Sequence, residues 1–133
     1  MNKSLTAFLA ISLAAFGVSA EKVHIPTKNT SLVLEATEGQ PLKFLYYGNA
    51  LSDNDVQTLD AAGTFNRDAY PVYGMNPMNE AALSAVHADG NMTLDMAVTD
   101  ISTALGADNS TVTTVTMADK VYPFTISVNY RTY

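Results

Sequence analysis

Apolar positions along this chain come in short blocks separated by turn residues, and no long stretch repeats with the 3.6-residue period of a helix. The one extended apolar run, Leu5 to Phe16, follows Lys3 and leads to the small residues Val18-Ser19-Ala20. A bilayer span needs roughly 20 apolar residues, so this shorter run with its basic start and small-residue end predicts a cleaved export signal over residues 1–20. Residues 21–133 are then the mature chain, with the periplasm or the extracellular medium as its destination. No cysteine stands at the cleavage site to take a lipid anchor.

Within 21–133 the blocks read as strands. Leu32-Val33-Leu34 and Leu42 to Tyr47 flank Thr37-Glu38-Gly39-Gln40-Pro41, where Gly and Pro mark a turn, so they are expected to form an antiparallel pair. Ser52-Asp53-Asn54-Asp55 has the capping-box spacing and predicts a short helix from Asp53 to about Leu59, ended near Gly63. Met92, Leu94, Met96 and Val98 alternate with Thr93, Asp95, Ala97 and Thr99, the pattern of a half-buried strand. Its expected partner is Ala82 to His87, joined through a tight turn at Asp89-Gly90. A second hairpin is expected between Thr111–Met117 and Val121–Tyr130 through Ala118-Asp119-Lys120, with Pro123 at an edge or bulge because it lacks an amide donor. The fold class that follows is all-β: an antiparallel β-sandwich, partial, with one short helix near 53–60.

Composition narrows the function. Cysteine is absent, which excludes disulfides and thiolate metal sites, so the core alone must hold the domain. Without Lys3 the chain carries six basic residues, scattered, against thirteen acidic ones. Nucleic acid is therefore excluded as a partner, since phosphate contacts need clustered Lys and Arg.

Few side chains suggest chemistry. Asp53 and Asp55 lack the glycine and the closing glutamate of a calcium loop, and helix capping accounts for them. His24 and His87 have no third ligand at a useful spacing, so no metal is expected; His87 is read as a hairpin-end residue that donates to a nearby carbonyl. Asp89 precedes Gly90, where turn geometry explains it, though it is also a candidate to hold a sugar hydroxyl. Tyr46, Tyr47, Tyr70 and Tyr73 cluster in the first half. Tyr46 and Tyr47 are adjacent on a strand, so at least one faces the core. Tyr70 and Tyr73, around Pro71 and Gly74, either line a sugar approach or pin a loop to the sheet. The sequons at Asn29, Asn91 and Asn109 are read as coincidental in a chain with a bacterial type of signal.

Leu45-Tyr46-Tyr47-Gly48 with Leu51, then Tyr70-Pro71-Val72-Tyr73-Gly74 with Glu80-Ala81-Ala82-Leu83, then Asp89-Gly90 with the alternation from Met92 to Val98, and finally Val121-Tyr122-Pro123-Phe124 with Val128 to Tyr133 occur in this order. This set resembles the N-terminal β-sandwich domain of family 36 glycoside hydrolases, the bacterial α-galactosidases. One departure stands out: after Gly74 the family carries Gly-Asp-Phe-Arg, whereas Asn76-Pro77-Met78-Asn79 precede Glu80 here.

The resemblance implies a non-catalytic domain. Members are retaining enzymes whose two catalytic aspartates lie on a (β/α)8 barrel that follows the sandwich, with carboxyl groups about 5–5.5 Å apart. No catalytic residue and no cofactor is therefore expected in this chain, and it should not hydrolyse galactosides alone. It ends while the resemblance is still inside the sandwich, which suggests an early stop or a piece of a longer gene product. The implied partners are a barrel in the same chain and a galactoside substrate, with Tyr70, Tyr73 and Asp89 as the sugar-side candidates. No membrane partner is expected, and a homo-oligomer through an exposed strand edge is an open alternative. So is a free-standing exported carbohydrate-binding or adhesive β-domain.

Overall fold

The computed structural model describes residues 20–60, 67–75 and 80–133. Six strands, β1 (Glu21–Pro26), β2 (Thr30–Ala36), β3 (Lys43–Asn49), β4 (Met96–Leu105), β5 (Thr111–Asp119) and β6 (Thr125–Thr132), and one helix, α1 (Asp53–Thr58), make up its regular structure. They form two antiparallel three-stranded sheets, ordered β1-β2-β3 and β4-β5-β6. Val23, Ile25, Leu34, Ala36 and Leu42 from the first sheet and its turn meet Leu94, Met96, Val98, Val115 and Met117 from the second in one buried core. The fold class is the all-β sandwich expected, and its stability comes from the apolar area hidden between the sheets.

β2 is buried on both faces, one against the second sheet and the other against α1, and a bulge in β3 interrupts the β2–β3 ladder. Val33 pairs with Tyr46 but Leu34 pairs with Phe44, so Leu45 is the extra residue. Leu34 and Phe44 then pack toward the main core while Val33 and Leu45 meet Val56 of α1 in a second, smaller cluster on the outer face. The helix forms as its sequence dictates. The Ser52 hydroxyl accepts from the Asp55 amide at 3.3 Å, the Ser52 amide donates to the Asp55 carboxylate at 3.2 Å, and the hydroxyl donates to that carboxylate at 2.6 Å. These bonds, from the Ser52 hydroxyl first, hold the Asp55 carboxyl below its usual range. At the other end the Lys22 ammonium donates to the carbonyls of Gln57 and Leu59, where the helix dipole favours a cation. A six-residue helix has little stability of its own, so Ser52→Ala is expected to cost about 1 kcal/mol in urea unfolding while leaving the sheet amides protected.

Three expectations need correction. β1, which the sequence reading does not assign, is a strand: Val23 and Ile25 face the core, but the segment is only six residues long and stops at Pro26, too short a pattern to stand out. The hairpin between Ala82–His87 and the segment from Met92 is not a ladder. Tyr73 occupies the hydrogen-bonding positions between them, its amide donating to the Leu83 carbonyl at 3.1 Å and its carbonyl accepting from the Leu94 amide at 3.0 Å. Only the turn survives, closed by His87 N–H to the Asn91 carbonyl at 2.8 Å with Gly90 at φ 85°. The strand accordingly starts at Met96 and runs to Leu105, paired with β5. Leu94, Met96 and Val98 are buried as the alternation requires, whereas Met92 is 41% exposed and Ala97 is buried.

The hairpin of β5 and β6 is present, with its connection moved. The bend spans Lys120–Phe124 rather than Ala118–Lys120, and Pro123 sits at the centre of a three-residue turn, Phe124 N–H to the Tyr122 carbonyl at 2.7 Å, instead of in a strand. Residues 1–19, Gly63 and Asn76–Asn79, on which the signal, the helix stop and the departure from the family pattern fall, lie outside the described residues.

Candidate functional site

Three segments meet at the end of the sandwich where β5 turns into β6. The Tyr73-Gly74 bend, the His87–Thr93 turn and the Lys120–Phe124 connection are far apart in sequence; side chains join the last two, and the Leu94 amide just past the turn donates to the Tyr73 carbonyl. Tyr122 makes the link. Its ring stacks on His87 with centroids 3.6 Å apart and planes 7° from parallel. Its hydroxyl donates to the Asp89 carboxylate at 2.8 Å and accepts from the Asn91 side-chain amide at 2.9 Å. His87 Nε2 donates to the Thr93 carbonyl at 3.2 Å, which fixes the proton on that nitrogen because a carbonyl only accepts.

The turn residues are held locally as well. Asp89 accepts from the Asn91 amide and the Asn91 side-chain oxygen from the Thr93 amide, each at 2.9 Å, two successive Asx turns that shape the loop around Gly90. These contacts set the electrostatics. The Asn91 amide, then the Tyr122 hydroxyl, hold the Asp89 carboxyl below its usual range. The bond to Asp89, then burial, raise the Tyr122 phenol above its ordinary value.

Behind the loop Asp119 is 9% exposed and fully engaged. One carboxylate oxygen accepts from the amides of Val121 and Tyr122, the other from the amide of Asp95, each at 2.8 Å. Burial pushes its carboxyl up, but the three amides and the nearby His87 together bring it below the usual range. Lys120 pairs with Asp95 at 3.2 Å. Tyr73, Val86, Met92 and Val121 are exposed large apolar side chains. Each is one of these segment residues or adjoins one in sequence.

Of the sequence candidates, Tyr73 and Asp89 fall in this region and Tyr70 does not share their exposure. Tyr70 packs, partly buried, against the main core and lies beside Tyr130, whose phenol is raised by burial first and by that neighbour second. It pins the loop to the sheet. Tyr46 packs under α1 and Tyr47 stands exposed on β3, so the four tyrosines form no common platform. Tyr122, Asn91 and Asp119 were not singled out. The Asp-x-Asn spacing of 89 and 91 is a readable loop signal, but nothing in sequence links it to a tyrosine about thirty positions on.

A second polar cluster looks like chemistry and is structure. His24 Nε2 lies 2.9 Å from the Ser31 hydroxyl and Nδ1 3.4 Å from Asp53, the order of a nucleophile, base and orienting acid. Ser31 is wholly buried and accepts the Leu51 amide at 3.0 Å, so no substrate reaches it. The group ties the start of α1 to β1 and β2. Among the described residues no group of three or more metal-ligating side chains converges.

No protein-family model and no curated protein matches the sequence. The fold, by contrast, has clear counterparts among solved structures. It matches an α-galactosidase from Lactobacillus brevis with a TM-score of 0.66 at 12% identity, over 89% of this chain and 20% of that one. It matches a family 36 α-galactosidase from Geobacillus stearothermophilus, determined in complex with raffinose, with a TM-score of 0.68 at 17% identity, over 85% of this chain and 20% of that one. The chain thus spans about a fifth of the length of either enzyme and shares that fifth's fold.

Proposed function

We propose that residues 21–133 are the non-catalytic N-terminal β-sandwich domain of an exported, retaining α-galactosidase. In that enzyme the domain packs on a (β/α)8 barrel, and the face carrying Tyr73 and Asp89 helps shape the sugar site. One observation carries the reading: nearly all of this chain superposes on α-galactosidases while covering only a fifth of them. The exposure of Tyr73, Val86, Met92 and Val121, in or beside these three segments, supports it, since exposed large apolar side chains are what an interaction face presents. The signal-like residues 1–20 support export, and the rest of the sugar site and both catalytic acids belong to the barrel.

A free-standing exported carbohydrate-binding domain is the second reading, favoured by the exposed ring of Tyr73 beside the Asp89 carboxylate. Incubating the purified chain with p-nitrophenyl α-galactoside and titrating it with raffinose in a calorimeter separates the two. The domain reading expects no nitrophenolate and no saturable heat, the binding reading expects saturable heat without nitrophenolate, and hydrolysis by the chain alone overturns both.

A further inference from the structure

We propose that Tyr122 is the positioning residue of the Tyr73–Asp89 face: it holds the His87–Thr93 turn on the β5–β6 connection, and that turn in turn sets the Tyr73-Gly74 bend. The inference rests on the proposed domain reading only for what the face contacts, namely sugar or barrel. Its mechanics are in the chain itself.

The coupling has two physical steps. In the first, Tyr122 is bound to the turn at three points, the His87 ring, the Asp89 carboxylate and the Asn91 side-chain amide. Its own backbone is anchored, because Asp119 accepts from the Tyr122 and Val121 amides. A tyrosine with a fixed backbone and a stacked ring is a rigid post, with little side-chain entropy left to lose. In the second step, Thr93 transmits the position of the turn. It is tied to the turn from both sides, its amide by Asn91 and its carbonyl by His87. It also lies so close to Gly74 that a β-carbon there would stand 2.7 Å from Thr93 Cγ2 and 3.0 Å from its Cα. Gly74 has φ 98°, a conformation that glycine alone adopts without strain, so the bend is shaped to lie against Thr93. The next residue after Thr93, Leu94, donates its amide to the Tyr73 carbonyl. A loosened turn therefore weakens the Leu94–Tyr73 bond and leaves the Leu83 carbonyl as the remaining backbone tie of Tyr73, a residue that is 49% exposed.

The groups that face Tyr122 and its partners are His87, Asp89, Asp95, Asp119 and Lys120. The ionised Asp89 carboxylate is the stronger acceptor for the phenol. Because its carboxyl is held below the ordinary value, the charge-assisted bond is present at neutral pH and weakens as the pH falls through that lowered value.

Amide exchange on the mature chain tests the coupling. Tyr122→Phe keeps the stack on His87 and removes both hydroxyl bonds; it is expected to speed exchange at the His87, Gly90 and Leu94 amides about 5- to 10-fold while the β5 amides keep wild-type protection. Faster exchange at His87 and Gly90 with Leu94 unchanged would uncouple the turn from Tyr73 and overturn the proposal. So would equal acceleration throughout β5, because Tyr122 would then serve the whole fold. A spectroscopic readout that mere packing does not move is the Tyr122 phenol titration, followed by its Cζ resonance. In Asp89→Ala it is expected to drop toward the ordinary tyrosine range, and no change means that the hydroxyl bond is not formed in solution and the proposal fails. These results stand apart from the enzyme reading, which fails by a different outcome, a reading frame at the native locus that encodes no barrel.

Discussion

Asp119→Ala is expected to lower the unfolding free energy by about 3 kcal/mol, since three amides lose a charged acceptor at once. The carboxylate joins Asp95 to Val121 and Tyr122, so its loss leaves the approach to β4 tied to the β5–β6 connection through Lys120, by its amide on the Asp95 carbonyl and its ion pair with the Asp95 carboxylate. Asp119→Asn keeps one acceptor oxygen and should cost less. The pH dependence carries the same information. The folded-state carboxyl lies below its ordinary value, so the stability it contributes is complete at neutral pH and disappears as acid titrates through the depressed folded value. Urea unfolding measured from pH 7 down to about pH 2.5 should show a steeper acid loss for the wild type than for the alanine variant. A cost below about 0.5 kcal/mol, the range of an ordinary surface substitution, contradicts this role.

Leu94→Ala is expected to cost about 3 kcal/mol and to lower the melting temperature by roughly 10–20 °C. Leu94 is fully buried between the sheets although it lies outside any strand, and its amide is bonded to Tyr73. Met92→Ala is the control. In a regular half-buried strand starting at Met92 the two residues would share one face and cost alike, whereas the observed backbone leaves Met92 exposed, and its removal should stay within about 0.5 kcal/mol of wild type. Thermal scans followed by circular dichroism separate the two geometries.

The elements that the sequence made legible are those whose cause is local. The capping box at Ser52 and Asp55 specifies α1 within four residues, and it is formed as the spacing requires. β2 with β3, and β5 with β6, are neighbouring blocks separated by a short bend, so adjacency in sequence becomes pairing in space. The hairpin read at Asp89-Gly90 misled because its turn is correct and its ladder is not. The insertion of Tyr73 between Leu83 and Leu94 is a contact between segments ten or more residues apart, and no alternation of residues announces it. Nor does alternation announce the bulge at Thr99, where Val98 pairs with Met117 but Asp100 with Thr116, which shifts the phase of β4 beyond Val98.

The candidate site divides in the same way. Asp89 was readable as a turn residue and Tyr73 as a loop aromatic, because Gly90 and Gly74 mark their surroundings. Tyr70 offered the same signals and packs against the core instead. Tyr122, which draws the face together, follows a strand and precedes a proline like many bend residues. Only the folded chain brings it to His87 and Asp89. The resemblance to α-galactosidases, built on motifs that are individually weak, agrees with the fold comparison.

The nucleotide sequence that follows the Tyr133 codon at the native locus bears most directly on the enzyme reading. The expected result is an open frame that completes the sandwich and continues into a (β/α)8 barrel with two acidic residues at strand ends. A frame that closes without a barrel, or that encodes an unrelated domain, contradicts it.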